Sequence, residues 1–411
     1  MLKKHPAHFL LLSLFLCGYG LLSYYNLLVD DDVVMLRGVQ AHGIVGATID
    51  HYNSWNTRWM SFFFLHTWMS FWTETSSLLL YHFCTLLTLF FSCKYVLKAL
   101  QKKEIVLQES TRSEMNFMSG LLSMAIVLSA FHIGDTWFWV NTSTMYGWNL
   151  IILMFALGLA IQPIQNKFLQ DTLITLLGLY IGGAGEPTVI CLGVLLPLVL
   201  YFAPQKSSPF KPHIINFLIG LSVSFGIALA GTGHGKREAA LPQLSTMDWL
   251  YMSSYFTAKI SLFHASLRIL LSAILLYPIF SRSKNTTPTF PLLKGSLIAV
   301  SLWLLVVLLH SFFITYIMGD YGPPRAWSFI GWMTVFVLAC WMYEYGSLIP
   351  KMPANIFGWI LVPVFVFYVY VQWKELPEYN AYVKKVQSQE IIFEIEKVPS
   401  SGLLHSITTG N

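Results

Sequence analysis

The sequence predicts an all-α polytopic membrane protein of about eleven transmembrane helices, and three observations predict it. Hydrophobic residues make up 55% of the 411 positions and charged residues 11%, where a soluble domain carries about 25% charge. Apolar runs approaching ~20 residues, the length that crosses a bilayer, recur along most of the chain. The basic residues gather on alternate connections between those runs, as the positive-inside rule requires. The same composition excludes a soluble enzyme, a disordered chain and a nucleic-acid binder.

The expected spans are 8–28, 76–93, 116–133, 147–163, 172–184, 188–203, 214–231, 261–280, 295–317, 328–346 and 356–373. The first follows Lys3 and Lys4 and ends at Tyr24-Tyr25-Asn26, without the short apolar core and small-residue cleavage site of a signal peptide. It reads as a retained helix that starts inside. Phe62 to Trp72 is apolar but too short to span, so an interfacial helix is expected in a first outer loop of 29–75. This arrangement leaves 14 basic and 5 acidic groups inside, a balance of +9, against 11 and 15 outside, a balance of −4. Residues 1–373 then form the membrane domain. Residues 374–411 form a small polar tail outside, with one β-like run, Glu390 to Glu396. The five cysteines all fall in apolar segments and show neither a disulfide framework nor a CxxC metal site.

Six places on the expected outer side carry chemistry. The first outer loop opens with Asp30-Asp31-Asp32 and continues to Asp50-His51-Tyr52-Asn53-Ser54-Trp55-Asn56-Thr57-Arg58. A solvated turn explains one acid at a helix end. Three in a row raise one another's pKa at a low-dielectric boundary, which suits a general base or a cation site. The second place runs from His132-Ile-Gly-Asp135 through Trp137, Trp139, Asn141 and Tyr146 to Trp148. It is an interfacial aromatic belt or a surface on which sugar rings stack. The third is Gly182-Gly-Ala-Gly185-Glu186-Pro187, where an acid at a glycine-rich break is costly unless it lines a polar cavity. The fourth, Gly231-Thr-Gly233-His234-Gly235-Lys236-Arg237, is a flexible basic loop or an anion-holding nest, and lacks the P-loop pattern. The fifth is His264 and Arg268, one helical turn apart in an apolar helix. The sixth is Gly319-Asp320-Tyr321-Gly322-Pro323-Pro324-Arg325-Ala326-Trp327, a rigid turn that presents an arginine suited to phosphate. Acids, aromatics and cations at one membrane face fit an enzyme acting on an amphiphilic substrate with an anionic head.

These motifs in this order resemble the GT-C superfamily of multipass glycosyltransferases. More closely, they resemble an uncharacterised bacterial branch with Asp-Asp-Tyr and Tyr-x-x-Trp-x-Gly-Arg motifs. The matching residues are Asp30-Asp31-Asp32, Tyr52-x-x-Trp55-x-x-Arg58, Trp139 to Tyr146, Gly182 to Glu186, Gly231 to Arg237, and Pro324-Arg325. The chain departs from that branch at Asp32, where the tyrosine would stand, and at Thr57 in place of glycine. The glycine expected between Trp139 and Tyr146 is also missing.

The resemblance implies a GT-C-like fold and inverting transfer of a sugar from a polyprenyl-phosphate-linked donor to a lipid, glycan or protein acceptor. The reaction would run at the extracytoplasmic face of a bacterial inner membrane. It implies Asp31, or Asp30, as general base, and Arg58, Lys236, Arg237 and Arg325, with Arg268, around the donor phosphate. Asp32, Tyr52, Trp55, Trp137, Trp139, Tyr146, Glu186 and His234 would contact sugar or acceptor. No cofactor is required. A divalent cation could sit at the acidic cluster, but no ligand spacing demands it and none is predicted. The partners implied are the donor, the acceptor and membrane lipids, with no nucleic acid. The competing readings are a glycan polymerase or ligase on lipid-linked sugars and a lipid-linked sugar transporter or flippase. An intramembrane protease is disfavoured, because the chain has no HExxH and Gly134-Asp135 and Gly319-Asp320 lack the paired motif.

Overall fold

A computed structural model describes residues 5–25, 31–54, 57–71, 76–103, 110–202, 210–233, 244–280, 291–318 and 322–345, with Trp359, Val362, Pro363 and Val366. Contacts divide the chain into two units, Met1–Gly358 and Trp359–Asn411. The expected last span, 356–373, lies mostly outside the described residues, and the expected polar tail with its β-like run lies wholly outside them.

Among the described residues of the first unit every regular element is a helix. In chain order they are α1 (Pro6–Tyr25), α2 (Asp31–Ser54), α3 (Trp59–Ser70), α4 (Ser76–Lys102), α5 (Arg112–Ser129), α6 (Trp148–Ile161) and α7 (Lys167–Gly182). Then follow α8 (Glu186–Phe202), α9 (Lys211–Ala230), α10 (Thr246–Lys259), α11 (Ala265–Phe280), α12 (Leu292–Met318) and α13 (Ser328–Tyr345). Among the described residues six helical stretches are long and apolar enough to cross a membrane: Pro6–Tyr24, Leu78–Lys102, Val140–Ile161, Lys211–Ala230, Leu292–Met318 and Arg325–Tyr345. Two shorter apolar helices, Glu186–Tyr201 and Arg268–Phe280, accompany them.

The remaining expected spans differ for physical reasons. Helix α7 has 16 residues, about 24 Å at 1.5 Å per residue, and falls short of the ~30 Å hydrocarbon layer. Helix α5 is buried over nearly its whole circumference. Its Ser119 and Ser123 hydroxyls donate to carbonyls one turn back, Met115 and Ser119, at 2.6 and 2.8 Å. It is a helix packed inside protein, so its polar residues need no lipid-compatible face. A capping box starts it: the Thr111 hydroxyl accepts from the Glu114 N–H at 3.2 Å, and the Glu114 carboxylate accepts from the Thr111 N–H at 3.1 Å.

The described residues of the expected first outer loop form more helix than the sequence advertises. Helix α2 covers 24 residues and turns at Gly43, whose φ of 68° is open to glycine at little cost. It folds back on α3 as a hairpin. His66, 1% exposed, joins the two. The Thr48 hydroxyl donates to the Ile44 carbonyl at 2.8 Å, so its oxygen accepts from His66 Nδ1–H, also at 2.8 Å.

The closest helix pair is α7 with α9. A methyl on Gly178 or Gly182 would overlap the carbonyl of Phe217 or Leu221, and one on Gly220 would overlap that of Thr175. Small residues four apart therefore let the two backbones touch. That contact fixes the turn Gly183-Ala184-Gly185 at the end of α7. The Gly183 carbonyl accepts the Met60 N–H at 3.0 Å, which docks the first turn of α3 on the turn.

Alternating helices give the bundle two ends. One gathers Lys98, Lys102, Lys103, Arg112, Lys167, Lys211 and Lys294 at helix termini. It is tied by Tyr95 donating to the Gln162 carbonyl and by Gln170 against His213. The other end carries the start of α2, the end of α5 and the turns after α7 and before α13.

The glycine contact is testable. Gly178→Ala and Gly220→Ala should each lose about 1–3 kcal/mol of stability from overpacking, read as lower thermal midpoints of the detergent-solubilised protein. Gly193→Ala, where a methyl meets open space, should leave the midpoint unchanged.

Candidate active site

Residues 132–147 break the path from α5 to α6 and organise this end of the molecule. Two π-helical turns, Gly134–Phe138 and Ser143–Gly147, flank a three-residue helix, Val140–Thr142. Trp139 sits between them in an extended conformation. Such turns loosen the regular backbone ladder and recur at functional sites. Side chains from elsewhere meet the groups exposed here. Tyr180 donates to the Thr144 carbonyl at 2.9 Å and Tyr81 to the Ser143 hydroxyl at 3.0 Å. The Thr136 and Ser328 hydroxyls are 2.7 Å apart.

Three charged groupings converge on this segment. In the first, the Asn141 N–H donates to Asp32 Oδ1 at 2.8 Å and its side-chain amide to Asp31 Oδ2 at 3.3 Å. Asp32 is fully buried, while Asp31 is half-buried. In the second, Arg58 Nε donates to Glu186 Oε2 at 2.7 Å, with both side chains under a tenth exposed. Its Nη1 lies 3.4 Å from the Tyr146 hydroxyl and 3.2 Å from the Met145 sulfur. In the third, Arg325 Nη1 is 3.3 Å from Asp135 Oδ2, and the guanidinium stacks over Trp139 at 4.6 Å. His132 Nδ1 is 3.0 Å from Asp135 Oδ1.

Electrostatics follow from these contacts. Burial alone would lower the pKa of Arg58, but the Glu186 carboxylate and Tyr146 more than offset it and hold it above its usual value. The pair is thus fully ionised where neither ion could remain alone. Burial would raise the Asp135 pKa, yet its bond to His132 and the Arg325 charge win and hold it below the usual carboxylate value. Burial pushes His66 down to about 4.

The other expected residues take varied positions. Tyr52 donates to the Ile227 carbonyl at 2.5 Å, and the Thr232 hydroxyl donates to the Asn53 carbonyl at 3.1 Å. A methyl on Gly231 would overlap Thr57 and the Tyr52 ring. Tyr52 therefore struts the glycine-rich loop against α2, and its hydroxyl is engaged. Trp137, 1% exposed, lies inside the core beneath the segment and shows no face to a ligand. Of the aromatic surface, Trp139 and Tyr146 remain at the charged groups. Arg268 caps a helix: its Nε donates to the Ser129 carbonyl at 3.1 Å and its Nη2 to the Phe131 carbonyl at 3.2 Å. Its guanidinium also stacks on Phe131 at 4.0 Å. It holds the end of α5 from which the broken segment departs. Asp30, Trp55, His234, Lys236 and Arg237 lie outside the described residues, as does the side chain of His264.

Sequence reasoning did not single out Asn141, Asp135, Tyr81 or Tyr180 as parts of the site. Asp135 and Asn141 sit within the motif that was read for its aromatics, so polar residues spaced through an aromatic run were the available signal. No local signal marks Tyr81 or Tyr180, because their partners are distant in the chain. Among the described residues no group of three or more His, Cys, Asp or Glu side chains gathers as metal ligands.

Comparison of the chain with protein-family models, curated proteins and solved structures finds no match.

Two measurements check this description. Arg58→Ala strands a buried carboxylate and should cost about 3–5 kcal/mol, seen as a lower thermal midpoint. Adding Glu186→Gln should recover part of that loss. The second uses pH. The unfolded chain protonates His66 near 6.5 and the folded chain only near 4. Stability from the neutral ring is therefore complete above 6.5 and falls as the pH drops towards 4. Thermal midpoints from pH 7 to 4.5 should fall less steeply in His66→Gln than in the wild type.

Proposed function

We propose that this chain is a membrane glycosyltransferase that takes its sugar from a polyprenyl-phosphate-linked donor. One observation carries the reading: acids, a stacked arginine and a buried ion pair, brought from distant parts of the chain, meet on one broken segment at one end of an apolar helix bundle. The two π-helical turns of that segment pack against each other, with the Thr136 carbonyl close to Gly147, so the groups they carry are gathered at one place. The apolar helices of the bundle suit a polyprenyl chain. The opposite end is lysine-rich, and the positive-inside rule makes that a support for an extracytoplasmic site.

In this mechanism Asp31 is the base. It is the more accessible of the two acids, and Asp32 is held in place by the Asn141 N–H. The acceptor hydroxyl gives its proton to Asp31 while its oxygen forms a bond to the anomeric carbon. The bond from that carbon to the phosphate oxygen breaks, and the phosphate leaves with the electron pair. One displacement inverts the anomeric centre. Arg325 stabilises the departing phosphate: its guanidinium has five N–H donors, and Asp135 engages Nη1. Trp139 offers an aromatic face beside it. Arg58 acts at one remove, holding Tyr146 and Glu186 in position. Lys236 and Arg237, which lie outside the described residues, are assigned to the same phosphate on the sequence alone.

A transporter of lipid-linked sugars is the second reading, favoured by the ion pair buried between helices. One experiment separates them. The protein is reconstituted in vesicles with a panel of polyprenyl-phosphate-linked hexoses and pentoses, and sugar transfer is measured. Asp31→Asn should lower transfer by about 10²–10⁴-fold, the usual worth of a general base, with the thermal midpoint retained. Arg325→Ala should raise the donor KM. Loss of neither in these variants, with intact lipid-linked sugar crossing the bilayer, would establish the transporter instead.

A further inference from the structure

His310 lies in the middle of α12 and is completely buried. It has no place in the mechanism above. Its Nε2 is 2.8 Å from the carbonyl of Ala326, the residue after Arg325. A carbonyl only accepts, so the neutral ring carries its proton on Nε2 and donates it there. Nδ1 is then a lone pair, and it faces the Cys191 thiol of α8 at 3.8 Å. The ring also packs against the turn it bonds, at 5.2 Å from Trp327 and 6.2 Å, nearly parallel, from Phe329.

Arg325 needs such a hold. The single turn Pro324–Trp327 that carries it is a 3₁₀ helix, and such short helices have poor internal hydrogen bonding. Its backbone bonds include Ala326 N–H to the Pro323 carbonyl at 2.9 Å and Ser328 N–H to the Arg325 carbonyl. The guanidinium must lie over Trp139 while meeting Asp135, a placement that a loose turn would not keep. A buried, doubly engaged imidazole on a long helix supplies the missing rigidity from behind.

We propose that His310 is a positioning residue for Arg325, acting through the Ala326 carbonyl, with the Cys191 thiol as a second hold on the ring at Nδ1. The proposal rests on the reading of Arg325 as a phosphate ligand only for its second measurement. His310→Phe keeps the ring volume between Trp327 and Phe329 and removes the donor. His310→Gln puts an amide N–H at nearly the same reach. Amide hydrogen exchange of the solubilised full chain reports the turn directly. His310→Phe should speed exchange at residues 325–327 by about tenfold, the worth of one buried hydrogen bond, and His310→Gln should restore the slow rate. Binding of a polyprenyl monophosphate, followed by thermal shift, should weaken in the Phe variant and recover in the Gln variant.

Unchanged exchange in the Phe variant, or faster exchange that Gln does not rescue, overturns the proposal. If exchange behaves as expected while wild type and Arg325→Ala bind the polyprenyl phosphate equally, the positioning role stands and the phosphate role of Arg325 falls. Should the Phe variant not fold, Cys191→Ala serves. Without the thiol the ring loses one of its two holds, and exchange at 325–327 should rise; an unchanged rate overturns the proposal.

Discussion

The Arg58–Glu186 ion pair is the constraint on which this end of the molecule depends. Each ion is under a tenth exposed, so each requires the other, and the two come from elements 128 residues apart. Arg58 precedes α3, and Glu186 opens α8, where a helix N-terminus favours negative charge. Joining them locks the helical hairpin of α2 and α3 to the start of α8. The same guanidinium reaches Tyr146 and so ties the broken segment to both. A buried pair of this kind adds little net stability compared with apolar packing, and its value is in specifying one arrangement.

The pair can form only because the α7–α8 turn is held where it is. Gly178, Gly182 and Gly220 bring two backbones into contact, and the turn at the end of α7 then receives the N–H of Met60. Backbone contact sets position, position brings the ions together, and the ions hold the aromatic face of Tyr146. Arg268 works in the same way at the other end of the broken segment. It engages the last carbonyls of α5, which would otherwise be unsatisfied at a buried helix end. The segment is thus clamped at both ends and along its middle, where Asp32 takes the Asn141 N–H.

Some of this was legible in the residues themselves. The membrane class follows from composition, because charge is too scarce to cover a soluble surface. The glycine-rich break before Glu186 and the rigid turn before Arg325 were legible as special backbone. The expectation that six separate places share one end is met as far as the described residues reach. Other roles were not legible. The structural partners of Tyr52, Trp137 and Arg268 belong here, because they depend on Ile227, the core around residue 137 and the end of α5. The first loop looked like a turn and one short helix because its 24-residue helix bends at Gly43 and carries no clean apolar stripe.

The sequence alone determined the solvent this chain folds in, since 55% hydrophobic content and alternating basic connections leave lipid as the medium. It also determined which residue types were too costly to be there by accident. Only the tertiary structure decided which acid meets which base. That choice is made by helix pairs in contact through glycine and by carbonyls freed at irregular turns. Both are contacts between residues far apart in the chain, and no local pattern encodes them.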